Sequence, residues 1–578
     1  MTFGFRGIEV HSKYAWDMDL VTRALRFARD HEMTALVIHR NDIVDRVVYP
    51  TKYYGGTGKY KNIIERYQDI HRSLYELTPT RRSGSYQRRD YLKRIIDLAA
   101  RWNIEVYFEN KELFYHDILI EFVPHLVKNG CVCPSEPFWW EFLEVKYTEL
   151  FQELPGLAGV ICAPGTGESR TAISSSRCTC ELCQSTNLAS WYTDLLNAMH
   201  KPIRAAGKTF VVRDFVHHRA VHDQLGKAFA ELPEDIVVSL KNTPHDYFPT
   251  FPDNPRLGKV GKRRQWLEFD CMGQYFGWGL SPAIMIEDMR GRLSRGAAAG
   301  VDGAIFRTDW ESLDGHSAFF TPNLINVYAG AALTCDLEAE ALPLYEAWLT
   351  EEGFVRDNAT PQDRREAALW AERLFGGSWD ITRLASYARD YVMNDSTTYP
   401  VSYKIAWWLT EEKLSLVEWD PERAGRLDPT EQNTRLVLEE KEEAVRRVEA
   451  LAPLLDAPPA ALTDTAIAHF RQHYDVFRRF VVGFRLVASA LMLARYVSEG
   501  PQSPSPFRKQ AENRLARTMN ELLNLADSFD DFAAATEHNY PVYILLSAER
   551  VRALHRDLSE HLAGLPGARP LEVEEARP

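Results

Sequence analysis

GVICAPGTGESR, residues 159–170, joins a short apolar run to a glycine-rich loop that carries a carboxylate. The run Leu157–Ala163 predicts a buried strand, and PGTGES predicts the loop leaving its carboxyl end. A glutamate raised at that end, here Glu168, occupies the place where barrel enzymes put catalytic acids. Loop glutamates are mostly solvated, so the weight of Glu168 depends on whether other strands in the chain end in the same way.

Working outward, similar apolar, β-branched runs recur at Gly7–Val10, Ala35–Ile38, Ile104–Phe108, Thr209–Val212, Ile236–Leu240, Trp266–Cys271 and Gly303–Thr308. Amphipathic stretches with helical spacing separate them: Met18–His31, Arg89–Trp102, Trp139–Leu154, Trp191–Ala206, His222–Leu232 and Ile286–Gly300. Alternation of this kind predicts a parallel sheet with helical crossovers. Eight units within residues 1–334 predict an α/β fold, a (β/α)8 TIM barrel, over a doubly wound open sheet. From about Cys335 the strands stop. Pro361–Leu374, Thr430–Leu455, Asp464–Ser498, Pro506–Phe532 and Val542–Leu562 have the spacing of packed helices. A mostly α-helical C-terminal domain is expected over residues 335–565, with a flexible tail over 566–578.

The strand ends then become a test. Strand one ends at His11 and strand two at His39. Strand three ends in Glu109 and Asn110. Strand four leads to Glu168, and strand five carries Arg213 and Asp214. Strand six ends in Lys241 and Asn242, with Asp246 shortly after. Strand seven carries Glu268 and Asp270. Strand eight carries Arg307 and Asp309, followed by Trp310. Because side chains alternate along a strand, Glu268 and Asp270 share a face opposite Leu267, Phe269 and Cys271. With the apolar set on the helices, both carboxylates point into the barrel, where charges need partners. Carboxylates converging from several strands without a compact histidine cluster suit glycoside hydrolysis, in which one acid protonates the leaving oxygen and one carboxylate activates water or attacks the sugar. Trp278, Trp310 and Tyr275 are candidates to stack on sugar faces, and His11 and His39 to orient hydroxyls.

Composition narrows the field. The 578 residues are 45% hydrophobic and 26% charged, with a formal net charge of -13 and both signs interspersed. No basic stripe marks a nucleic-acid partner. No apolar run approaches the roughly 20 residues of a membrane span. The opening MTFGFRGIEVH lacks the pattern of a secretory signal. Together with 8 cysteines read as free thiols, this predicts a cytoplasmic protein, and the converging carboxylates predict a small carbohydrate as its substrate.

Four stretches come in order: IVVSLKNTPHDYFP (236–249), QWLEFDCMGQYFGWG (265–279), GVDGAIFRTDWESLDGHS (300–317) and NLINVYAGAALTCD (323–336). Together they resemble the xylan alpha-glucuronidases, glycoside hydrolase family sixty-seven. The resemblance implies a barrel followed by a helical domain, in many cases a homodimer, and an exo-acting, inverting hydrolase that needs no cofactor for catalysis. It covers the second half of the barrel best, and the helical domain in outline; the family's amino-terminal β-sandwich is expected to be absent. It places the general acid on Glu168 and one base carboxylate on Asp246, in KNTPHDYF. The family's second base falls on Gln274, and an amide cannot take a proton at neutral pH; either Asp246 then acts alone or Asp270 on the same strand replaces the missing group, and Asp246 with Asp270 beside it is expected. The departure leaves the sugar open. A uronate needs a cation, for which Arg307, Arg213 and Lys241 are candidates. Two other functions are carried: a metal-dependent sugar isomerase or epimerase, its divalent ion held by Glu109, Asp214, Asp270 and a histidine, and a non-catalytic sugar-binding relative.

Cys178, Cys180 and Cys183 form CTCELC just after Glu168, with Cys131 and Cys133 upstream in CVC. Three thiols in one short turn are good zinc ligands, and Cys133 or Cys131 would supply the fourth. Such a zinc is structural, because an all-sulfur shell leaves no open position. Free thiols or a disulfide are the alternatives.

Overall fold

Eight strands close into a parallel barrel: β1 (Phe5–Val10), β2 (Ala35–His39), β3 (Glu105–Glu112), β4 (Gly159–Pro164), β5 (Thr209–Asp214), β6 (Val237–Lys241), β7 (Gln265–Asp270) and β8 (Gly303–Arg307). Each pairs with its sequence neighbours, and β8 closes on β1 in the register Glu9 opposite Arg307. This is a computed structural model, and it describes residues 2–50, 80–215, 219–535 and 537–564. The tail expected at 566–578 lies outside the described residues.

Crossover helices cover the outside: α1 (Met18–Asp30), α2 (Thr80–Arg101), α3 (Phe138–Glu153), α4 (Leu188–Ala205), α5 (Arg219–Glu231), α6 (Ile286–Ala298) and α7 (Leu324–Cys335). α1 shows why they form. The Asp17 carboxylate accepts hydrogen bonds from the backbone N–H groups of Asp19 and Leu20 at the open end, and Leu20, Val21, Ala24, Leu25 and Ala28 make the buried face. No helix joins β6 to β7; residues 242–264 cross as irregular chain.

Inside the barrel the same alternation builds layers. At the amino-terminal end Phe5, Val37, Tyr107, Ile161, Val211, Val237, Trp266 and Ile305 pack together, with Phe5 stacked on Trp266 at 3.6 Å between ring centroids. Gly303 allows this, because a Cβ there would lie 2.3 Å from the Trp266 ring. One step up the strands the layer is charged: Glu9, His39, Glu109, Arg213 and Glu268, all buried.

After α7 the chain is mostly helical, with α8 (Ala341–Glu351), α9 (Pro361–Phe375), α10 (Ser378–Ser386), α11 (Glu431–Glu449), α12 (Asp464–Glu499), α13 (Pro506–Ala535) and α14 (Ala548–Ala563), although strands do not stop altogether: Tyr387–Ala388 pairs antiparallel with Tyr391–Val392. Two of the expected helices are shorter than their apolar patterns: α11 ends at Glu449, and Val542–Leu562 is broken after Leu545. α12 corrects the expectation that no run is long enough to cross a membrane. Its most apolar stretch has a mean hydropathy of 1.6 and the necessary length, yet 83% of it is buried inside the protein. It is the spine against which α11 and α13 pack.

Candidate active site

A cavity of about 370 Å³ opens at the carboxyl ends of the strands, the end where barrel enzymes carry their sites. Its floor comes from His11, Lys111, Arg213, Lys241 and Arg307, its walls from Glu168, Phe215, Asp246, Gln274, Tyr275, Trp310 and Glu311. The helical region closes one side with Asp395, Ser396, Lys413 and Leu414.

Glu168 reaches the cavity from the β4 loop. Gly165 turns that loop at φ +62°, and a Cβ there would meet Tyr192 at 2.8 Å, so only glycine fits. The loop is then sewn to the end of β3: Gly165 N–H donates to Glu112 O at 3.0 Å, and Ser169 Oγ donates to the same carbonyl at 2.8 Å. The Glu168 side chain remains 41% exposed and pairs with buried Lys111. Asp246 enters from the β6 loop in a left-handed backbone conformation, φ +50°, uncommon for a non-glycine residue. The Thr243 hydroxyl holds that turn by donating to Asp246 O at 2.7 Å. The Asp246 carboxylate pairs with Lys241. Two carboxylates, each against its own lysine, thus share one cavity.

The lysines are unusual. Burial pulls Lys111 down to about 7 and Lys241 down to about 8. Burial also pulls His11 down to about 4 although Nε2 lies 2.7 Å from a Glu311 oxygen. Glu311 itself is held low: burial works against its charge, but His11 and Lys111 outweigh it. Below the cavity, Arg213 lies between Glu109 (2.5 Å) and Glu268 (2.6 Å), with Tyr247 accepting a further bond at 2.8 Å. Burial raises Glu109 to about 7. Glu268 is also buried, but Arg213 and the Ser239 hydroxyl overcome this and lower it. His39 stacks under His11 at 3.6 Å and places Nδ1 2.8 Å from Glu9.

Of the residues singled out by sequence, Glu168, Asp246, His11, Arg213, Lys241, Gln274, Tyr275, Arg307 and Trp310 line the cavity. Seven others do not. Asp270, expected to replace the missing base, is locked: it pairs with Arg307 at 2.9 Å and accepts from Gly273 N–H at 3.1 Å and Gln274 N–H at 2.7 Å. Gln274 is itself held between Arg307 Nη2 (2.9 Å) and Ser396 Oγ (3.4 Å). Glu109, Glu268 and His39 belong to the charged layer beneath the floor. Asn110 faces outward, against Glu112 and the Val44 N–H, because its neighbour Glu109 faces in. Asp309 accepts from the backbone N–H groups of His11 and Ser12, fastening β8 to the end of β1. Trp278 is core: it is 1% exposed, and its indole donates to Gln274 O at 3.0 Å.

The divalent-metal set of Glu109, Asp214, Asp270 and a histidine does not converge either. Asp214 lies on the outer face of β5, between Arg256 (2.7 Å) and His222 (2.9 Å). Lys111, Phe215 and Glu311 went unmarked in sequence although a two-residue step from Glu109 or Arg213, or the residue after Trp310, points to them. Asp395 and Lys413 have no local signal, because only the packing of the helical region brings them to the barrel.

No family model matches the chain, and no curated protein matches it in sequence. Solved structures are similar in fold. A GH138 enzyme targeting pectin rhamnogalacturonan II has a TM-score of 0.61 at 10% identity; the likeness covers 97% of this chain and 66% of that one, so this chain spans just under two thirds of that neighbour's length. An O-GlcNAc hydrolase of Thermobaculum terrenum gives 0.39 at 12% identity, over 97% and 94% of the two chains. A GH115 4-O-methyl-alpha-glucuronidase with specificity for decorated arabinogalactans gives 0.46 at 8% identity, over 96% and 61%. The chain has the closed barrel with a helical C-terminal region, a fold like that of a glycoside hydrolase.

Proposed function

We propose that the chain is an exo-acting, inverting glycoside hydrolase that works on a short oligosaccharide or glycoside, with Glu168 as general acid and Asp246 as general base. The observation that carries this is the convergence of those two carboxylates, from the loops after β4 and β6, on one cavity at the catalytic end of the barrel. Its volume lies near the small end of the range for ligand sites, and the wall from the helical region supports a pocket that takes a chain end. Asp246, paired with Lys241, takes a proton from water as the water attacks the anomeric carbon. The bond from that carbon to the leaving oxygen breaks, and Glu168 gives its proton to the oxygen. Trp310 and Tyr275 stand at the walls to pack on the sugar. The resemblance to the alpha-glucuronidases supports a uronate as the terminal sugar. Arg213 and Arg307 are paired with Glu109, Glu268 and Asp270, and Lys111 and Lys241 with Glu168 and Asp246, so a uronate carboxylate would share one of these cations.

The test is a panel of uronic-acid and neutral aryl glycosides, with the first-released anomer followed by NMR. Wild type is expected to release one sugar class with inverted configuration, and Glu168→Gln to lose turnover of unactivated substrates while remaining folded. Full activity of Glu168→Gln refutes the acid assignment. Binding of oligosaccharide without release of monosaccharide would make the chain a sugar-binding relative instead.

A further inference from the structure

Four thiols from two separate stretches meet outside the cavity. Cys133 follows a short hairpin, Val127–Lys128 with Cys131–Val132, and precedes α3. Cys178, Cys180 and Cys183 lie in the excursion between β4 and α4. The Cys133 sulfur is 3.3 Å from that of Cys183 and 3.5 Å from that of Cys180, and all four lie within 4.8 Å of one another. A disulfide needs about 2.05 Å. Four sulfurs around one zinc at about 2.3 Å stand about 3.8 Å apart along the edges of a tetrahedron, close to the arrangement here.

A second observation concerns what holds the excursion in place. Between Ala172 and Trp191 the one buried residue is Cys178, and the short helix Glu181–Ser185 buries nothing. Apolar anchoring is slight, with Ile173 and Leu188 only partly buried against the core at the two ends of the excursion, yet the thiols gather. Cys133 is itself well fixed, its N–H donating to Leu126 O at 2.8 Å and its carbonyl accepting from the Trp139 indole at 2.8 Å. The Cys183 N–H donates to the Cys180 sulfur at 3.4 Å, which favours a thiolate there. Cys131, on the other side of the hairpin strand, is not part of the group.

We propose that Cys133, Cys178, Cys180 and Cys183 form a structural zinc site that ties the loop after Glu168 to the segment before α3. Zinc replaces the four thiol protons, which leave to solvent, and the all-sulfur shell leaves no position for substrate. Its bearing on Glu168 rests on the function proposed above; the metal site does not.

Zinc content of the purified full chain, measured by inductively coupled plasma mass spectrometry, is the first readout. Cobalt uptake by the reduced, chelator-treated protein, followed by visible absorption, is the second. One zinc per chain is expected in wild type and in Cys131→Ser, falling roughly tenfold or more in Cys133→Ser and Cys178→Ser. Cobalt is expected to give the thiolate charge-transfer and strong tetrahedral bands of a four-sulfur site. The site is refuted if reduced wild type takes up neither metal, if peptide mapping of the fresh protein finds a disulfide among the four, or if Cys133→Ser keeps its zinc. Should Cys133→Ser fail to fold, the wild-type cobalt spectrum decides without it. Active enzyme with no affinity for zinc would overturn the metal site alone; inactive enzyme with full zinc would overturn the hydrolase assignment alone.

Discussion

Two layers inside the barrel stand on the same strands, one side-chain step apart, and are held by opposite means. Val37 gives way to His39, Tyr107 to Glu109, Val211 to Arg213 and Trp266 to Glu268. Below the step, apolar rings pack, with Phe5 on Trp266 and Tyr107 edge-on to Phe5 at 5.3 Å. Above it, buried carboxylates surround one arginine. Apolar burial is favourable by itself; desolvating charge is not, and is tolerated only with close partners. A fold that needed stability alone would continue the lower layer upward. The change of chemistry within one strand therefore marks which pole of the cylinder supports a site.

The largest expected effect tests that polarity. Asp246→Asn keeps the shape and removes the base. We expect kcat/KM on an unactivated glycoside to fall by about a thousandfold, with the urea midpoint nearly unchanged. A midpoint that moves while turnover does not would make Asp246 a structural carboxylate, like those beneath the floor.

Arg213→Met comes next and breaks the upper layer. It leaves Glu109 and Glu268 buried without their cation, so a loss of about 3–5 kcal/mol is expected by urea denaturation at about pH 8. The loss should shrink on acidification. Arg213 holds Glu268 below its ordinary value in the folded wild type; without that cation the buried carboxylate takes up its proton at higher pH, so the folded mutant is favoured as pH falls while the wild type, with Glu268 still ionised, is not. Adding Glu109→Gln and Glu268→Gln to Arg213→Met should restore much of the stability. If the deficit is independent of pH, Arg213 acts by packing and not by charge.

Phe5→Leu makes the matching change in the lower layer and should cost about 1–2 kcal/mol. Because no charge is involved, that loss should not vary between about pH 5.5 and pH 8, again by urea denaturation. A pH-dependent loss would show that the layers are electrostatically coupled.

These layers also explain what could be read from the chain before it folded. Parallel strands buried on both faces appear as short β-branched runs, so Ala35–Ile38 and Ile236–Leu240 declared themselves and the barrel with them. Strand parity placed Glu268 and Asp270 on the inner face, and it also rules out Asn110, which sits beside an inward Glu109. Parity fails once the strand ends. Asp309 turns to accept the N–H groups of His11 and Ser12, and Trp278 folds back at φ +56° onto the Gln274 carbonyl. Such bends depend on loop conformation, which local pattern does not encode. Asp395 and Ser396 reach the cavity through packing of the helical region, well over 100 residues beyond the Glu268 strand, and no spacing rule spans that distance.

The smallest effect lies where the two kinds of residue meet. Lys111 is two positions above Glu109, buried, and paired with Glu168. Its charge favours the ionised form of the proposed acid. Lys111→Met removes that charge, so Glu168 should keep its proton to higher pH. The alkaline limb of kcat/KM, which reports the free enzyme's acid, should then move upward by about one unit. Glu168 is half-exposed while Lys111 is not, so the shift should survive moderate salt better than that of a surface pair. A limb that stays in place while kcat falls would mean that Lys111 acts on the sugar itself, as the cation for a uronate. That outcome would show as a rise in KM confined to uronic-acid substrates.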